Sequence, residues 1–273
     1  MRKDDNSTPP KLNTRVFRTL TDVANFAEKD GKNQSCARET DGFCGGTLEK
    51  SIRLTRDGDL SCVEPSNKLL SQFEKLAYQT VKRRWQDDIV GSTPNVQAFL
   101  AGSPMSMRRR VKVQSNFGVI RVILDLFASC AFSHDDIRKR GAAVLALTRI
   151  LAMRRPVELY IGSSSKDYAA HQRTMWFARI NTAPLDLAHA AFVMTDPLFL
   201  RRVGFVTKEA IGGESPFYPL DDGELAKLAH SAFGPCQTVL VPGIVSSGAD
   251  VVADPQKWII DRIKEAAPEM LRD

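Results

Sequence analysis

The chain has 273 residues, 43% of them hydrophobic, and a net charge of +6; that is enough apolar content for one large α/β domain with an N-terminal extension, or for two modest domains. No apolar run approaches the ~18 residues that a membrane helix needs, and the polar start MRKDDNSTPP has no apolar segment behind it. Neither a membrane span nor a signal peptide is expected, so the chain reads as soluble and intracellular.

Residues 1–16, with Pro9-Pro10, are polar and aperiodic and read as a flexible arm. Residues 17–110 read as an N-terminal extension of loops and helices that packs on a main domain. Within it, Leu20, Val23, Ala24 and Phe26 behind Thr21 and Asp22 suggest a short helix over 17–26. The Gly-, Ser-, Asp- and Cys-rich stretch 31–66 reads as loops with one short strand at 51–55. In 67–86, Leu69, Leu70, Phe73, Leu76, Ala77, Val81 and Trp85 recur at helical spacing, which predicts an amphipathic helix. VQAFLAG (96–102) predicts another, stopped by Gly102-Ser103-Pro104.

The main domain is expected over 111–273. VIRVILDLFAS (119–129) reads as a buried strand ending at Asp125, with Phe127 and Ser129 following at alternate positions. Ser133 is a good N-cap for the next helix, with Asp136 three residues on as its capping-box partner. Ile137, Val144, Leu147 and Leu151 mark the buried stripe, and Gly141-Ala142-Ala143 allow the helix to approach the sheet closely. VELYIG follows Pro156, giving a βαβ unit. A polar connection then leads into TMWFARI (174–180), which suits a hairpin better than a crossover and makes that strand antiparallel. Pro184 is placed at the start of the helix LDLAHAAFVM, which stops before Asp196-Pro197, and LFLRRVGF gives a short helix. TVLVPG (238–243) reads as a buried strand, and DPQKWIIDRIKEAA (254–267) as a helix capped by Asp254 with Pro255 at its first position. An open α/β sheet presents its ligand-facing groups beyond the strand ends, which is where Asp125 stands.

The order strand, helix, hairpin of two strands, helices, strand, helix resembles a von Willebrand factor A domain. The resemblance implies a Rossmann-like, doubly wound, mainly parallel sheet with one antiparallel edge strand. It also implies a metal-ion-dependent adhesion site built on an Asp-x-Ser-x-Ser motif after the first strand, a Thr after the edge strand and an Asp after the fourth. Here Asp125 matches the first position, Phe127 breaks the second, Ser129 matches the third, Thr182 stands about where the Thr belongs, and Val241-Pro242-Gly243 supplies no Asp. The chain also resembles a set of uncharacterised tailed-bacteriophage proteins, through FLAG followed by Pro104, RGAAVLALTRIL (140–151) and APLDLAHAAFVMTDPLFLRRVGF (183–205). That likeness implies a phage origin and a fold, and no chemistry.

An octahedral ion such as Mg²⁺ needs oxygen ligands, and Phe127 offers none. Asp125 and Ser129 with a water leave only weak Mg²⁺ binding, so no cofactor is expected; the plainer role for Asp125 is to cap local backbone amides. Cys36, Cys44, Cys62, Cys130 and Cys236, odd in number and scattered, read as reduced thiols. The first three lack the paired spacing of a structural zinc site. Phosphate-loop, nucleophile-elbow, dinucleotide and metalloprotease motifs are all absent, and His134, His171, His189 and His230 keep no triad-like company.

Charge is uneven: residues 71–161 hold 15 Lys or Arg against 7 Asp or Glu, a local excess of 15 − 7 = +8. The clusters comprise Arg83 and Arg84 beside Lys82, Arg108, Arg109 and Arg110 with Lys112, then Arg138, Lys139 and Arg140, and Arg154 with Arg155. Together they could form a phosphate-facing surface, although arginines at a helix C-terminus, such as Arg154-Arg155, need no partner beyond the helix dipole. Two readings follow. The first is a non-catalytic module in the host cytoplasm, or on a virion, that binds a phage or host protein through the loops at its strand ends. The second is a nucleic-acid-associated protein using the basic surface.

Overall fold

The computed structural model describes residues 10–38, 41–64, 67, 71, 84–111, 118–153, 155–168, 171–212, 218–245 and 250–270. Strand β1 (Lys11–Phe17) leads through Thr19, whose side chain caps helix α1 (Leu20–Asp30) in a reciprocal box with Asp22. The helix therefore starts and ends later than the 17–26 expected. Residues 1–9 of the arm expected over 1–16 lie outside the described residues, but 11–16 are strand, not arm. Only Phe17 of β1 is buried, so no apolar alternation betrays the strand; its ladder partner decides its conformation.

Helix α2 (Leu48–Asp57), capped by Thr47, replaces the short strand expected at 51–55. Leu48, Ser51, Ile52 and Thr55 are the buried set, a helical stripe. The helix expected over 67–86 lies mainly outside the described residues, and its end is instead strand β2 (Arg84–Asp88). That strand and β3 (Thr93–Pro94) flank β4 (Met107–Val111) in a small antiparallel sheet of order β2-β4-β3. Helix α3 (Val96–Leu100) lies between β3 and β4, with Gly102 in the left-handed region (φ 72°) just past its end.

The main sheet has five strands in the order β1-β7-β6-β5-β8. Strand β5 (Ile120–Asp125) pairs in parallel with both β6 (Val157–Asp167) and β8 (Gln237–Val241). Strand β7 (Gln172–Ile180) returns antiparallel to β6. It is not the edge, because β1 pairs with it in parallel, so the N-terminal segment belongs to the sheet rather than to a separate extension. Side chains alternate cleanly between the two faces. Val122, Leu124, Leu159, Ile161, Trp176, Ala178, Val239 and Val241 enter the larger core, while Ile123, Tyr160, Met175 and Phe177 enter the smaller one.

Helix α4 (His134–Ala152) carries the expected capping box of Ser133 and Asp136. Gly141 permits its close approach, but to a helix rather than the sheet: a Cβ there would lie 2.2 Å from the Met194 carbonyl oxygen. That carbonyl belongs to α5 (Leu187–Thr195), whose N-cap is Asp186, two residues beyond Pro184. Asp196 then caps Pro197–Phe199, which runs through a π-turn (Leu200–Gly204) into α6 (Phe205–Ala210). Helix α7 (Asp222–Phe233) covers the smaller core. Helix α8 (Pro255–Ala266), capped by Asp254 as expected, packs its Ile259 and Ile263 into the larger one. No helix is long and apolar enough to cross a membrane among the described residues.

Candidate functional site

The C-terminal end of β5 gathers three buried charges. Asp125 is fully buried, Arg140 is 3% exposed and Lys208 is fully buried. Strand β5 stops at Asp125 opposite Gly162, whereas β6 continues through Ser163, Ser164 and Ser165, and the Asp125 carboxylate takes over the missing ladder. It accepts from Ser164 N at 3.2 Å, from Phe127 N at 3.0 Å and from the Ser164 hydroxyl. The Ser164 hydroxyl in turn accepts from Leu220 N at 3.1 Å, tying the N-terminal approach of α7 to the strand end.

Arg140, from α4, threads under the same loops. Its guanidinium donates to the carbonyls of Asp125 and Pro242, and at 3.4 Å and 3.5 Å to those of Phe127 and Val241. Carbonyls that open as β5 and β8 end are thereby satisfied by one fork of donors. Burial pulls the Arg140 pKa down to about 10, with Asp125 opposing. Lys208, from α6, donates to the Ser164 carbonyl at 3.3 Å and stands 4.5 Å and 5.4 Å from the ring centres of Phe205 and Phe127. Burial pushes its pKa down to about 7, against the opposing pull of Asp125. The Ser163, Ser165 and Thr207 hydroxyls, all buried, have no hydrogen-bond partner among the described residues.

The remaining positions of the metal motif that the resemblance implies do not gather around this carboxylate. Phe127 is 7% exposed, and its side chain seals the notch beneath Gly243, where a Cβ would sit 2.9 Å from the Phe127 Cβ. The Ser129 hydroxyl accepts from Ala131 N at 3.3 Å, closing its own turn. Thr182 lies at the other end of the sheet, because β7 runs antiparallel: its hydroxyl donates to the Val157 carbonyl at 2.7 Å, beside the start of β6. Both Asp125 oxygens face protein donors and two cations stand close by, so these residues do not fit an octahedral divalent ion. Asp125 does take the backbone-capping role that the sequence suggested.

Among the described residues, several members of the basic clusters are engaged within the fold. Arg140 is internal. Arg155, read as a solvated helix end, is buried and donates to Gly118 O, Gln237 Oε1 and Ala266 O. Arg108 and Arg109 lie against Asp87 and Asp88 at 3.0 Å and 2.7 Å, and Arg138 against Asp135 at 2.8 Å. Lys139 is exposed. Arg84 and Arg110 contribute backbone to β2 and β4. Arg83, Lys112 and Arg154 lie outside the described residues.

The five cysteines form no disulfide, and the first three have different neighbours: Cys36 contacts Glu209, Cys44 the Arg201 carbonyl, Cys62 the Asp196 carboxylate. Lys208 and Ser164 carried no motif in the sequence. A run of three serines inside an apolar strand was the one signal for Ser164, and Lys208 gave none.

Beyond Asp125, the same end of the sheet carries an exposed aromatic pair. Tyr168 and Tyr218 meet edge to face with ring centres 5.4 Å apart, 56% and 47% exposed. The Lys166 N–H to Tyr218 O bond of 2.7 Å anchors one to the other's strand.

No curated protein and no solved structure matches the chain. Residues 4–218 match the family described as Domain of unknown function (DUF7192), a span that holds β1 through β7 together with Asp125, Arg140 and Lys208, and the chain belongs to that family.

Proposed function

We propose that this protein is a non-catalytic protein-interaction module, a degenerate von Willebrand factor A-like domain of phage origin, that recognises a phage or host protein at the C-terminal end of its sheet. One observation carries the reading: the position where such a domain would hold its ion is filled by Phe127 and by the chain's own cations, Arg140 and Lys208. The strand order β7-β6-β5-β8, with only β7 antiparallel to β6, supports the likeness. A site closed in this way keeps its loops rigid without metal and leaves recognition to the rim. There the exposed Tyr168 and Tyr218 offer the amphipathic rings that interface centres favour.

The test is capture by the full chain from phage-infected cells, run beside the double variant Tyr168→Ala, Tyr218→Ala. A partner retained by the wild type and lost by an equally stable double variant supports the proposal. Recovery of no stoichiometric partner, or undiminished capture by the variant, overturns it. The nucleic-acid reading has less support, since Arg108, Arg109 and Arg138 each face a carboxylate and Arg140 is internal.

A further inference from the structure

At the C-terminal end of α5, three metal-ligating side chains converge from remote parts of the chain. Asp59 precedes a short turn that carries Cys62, and Asp196 sits at the junction between α5 and the segment beginning at Pro197. Cys62 Sγ lies 3.7 Å from Asp196 Oδ2 across 134 residues of sequence, and one ligand atom from each of the three residues lies within 4.8 Å of the others.

We propose that Asp59, Cys62 and Asp196 form a three-ligand site for a zinc-type divalent cation, with its fourth position open to water or to a partner's side chain.

The spacing suits that ion. Tetrahedral zinc with Zn–S ~2.3 Å and Zn–O ~2.1 Å sets sulfur and oxygen about 3.6 Å apart along one edge, close to the 3.7 Å observed. The donor set is selective: one thiolate among carboxylates favours zinc, cobalt or cadmium over magnesium or calcium, which take oxygen alone. Each carboxylate is fixed through one oxygen, Asp59 Oδ1 accepting from Ser61 N and Asp196 Oδ1 from Leu198 N, both at 2.8 Å, while Asp196 Oδ2 is the atom that meets the Cys62 thiol. Without metal the thiol is held protonated by burial and by the neighbouring Asp196 and Asp59. Binding replaces that proton: the S–H bond breaks, the proton leaves to solvent, and the sulfur lone pair forms the metal–sulfur bond with no change of oxidation state.

Titration of the full chain with Co²⁺ reads the site directly. The expected result is one equivalent bound, with the near-ultraviolet absorption of a thiolate-to-cobalt bond. That absorption should disappear in Cys62→Ser and persist in Cys130→Ser, Asp59→Asn should weaken binding at least tenfold, and excess Zn²⁺ should displace the cobalt. Thermal melting of each metal-free variant confirms folding. Cobalt binding without the thiolate absorption, or the same absorption and affinity in a folded Cys62→Ser protein, overturns the proposal.

Discussion

Lys208 donates its ammonium to the main-chain carbonyl of Ser164 at 3.3 Å, while the hydroxyl of the same Ser164 donates to Asp125. One serine thus stands between a buried cation and a buried carboxylate, and neither charge reaches water. Removing the carboxylate leaves both Lys208 and Arg140 without their opposing charge, which makes the cluster testable by stability.

The pH dependence follows from Lys208. Its pKa is about 7 in the folded chain and near 10.4 when unfolded. Between those values the unfolded chain holds a proton that the folded chain lacks, so stability rises with pH across that window. It flattens below about 7, where both states are protonated. The limiting slope is about 1.4 kcal/mol per pH unit. Lys208→Met should remove this contribution to the slope, read by urea melts at neutral and alkaline pH; an unchanged slope would place the titration elsewhere.

Removing the carboxylate should cost more than removing the lysine. Asp125→Ala leaves Ser164 N, Phe127 N and the Ser164 hydroxyl without their acceptor and strands two buried cations. A loss of about 3–5 kcal/mol is expected, as for a buried pair broken on one side. Asp125→Asn keeps one acceptor oxygen and should lose roughly 1–3 kcal/mol. Equal, small effects from both variants would show that the cluster contributes little to the fold.

Because the site is closed by its own side chains, Mg²⁺ and Mn²⁺ at millimolar levels should give no concentration-dependent rise in Tm. Phe127→Ser should not create one either, since Lys208 still faces the carboxylate. Stabilisation of the wild type that vanishes in Asp125→Ala would contradict this account of the site.

Gly141→Ala separates local propensity from packing. Alanine favours an exposed helix interior by about 1 kcal/mol over glycine, but here its Cβ would fall 2.2 Å from Met194 O. Forced separation of α4 from α5 should give a net loss of about 1–3 kcal/mol, measured by chemical denaturation. A gain would mean that α5 yields readily.

The basic segment yields a control. Arg108→Ala with Arg109→Ala removes two exposed ion pairs and should alter stability by no more than about 1 kcal/mol per pair. Gel shifts at low salt should detect no salt-steep nucleic-acid binding by the wild type. Strong binding abolished in the double variant would favour the nucleic-acid reading instead.

The sequence was most legible where a local rule and the tertiary need agreed. The Ser133–Asp136 box, the buried run ending at Asp125, the β6–β7 hairpin and the Asp254–Pro255 helix start all follow from caps and periodicity. It was least legible where a remote partner decides the conformation. Strand β1 is nearly all exposed and takes its shape from β7. Residues 51–55 alternate like a strand, but the face they bury is helical. Arg140 sits in a charge run that looks solvated, yet the strand ends opposite it supply the carbonyls that draw it inward. Thr182 followed its strand in sequence, but the reversal of β7 carries it away from Asp125.

The parallel pairing of β1 with β7 also bears on how the chain is made. The first strand leaves the ribosome long before its partner, which lies more than half the chain downstream, so that seam closes late. A protein shortened at its N-terminus would expose the flank of Gln172–Ile180, inviting strand exchange between neighbouring molecules.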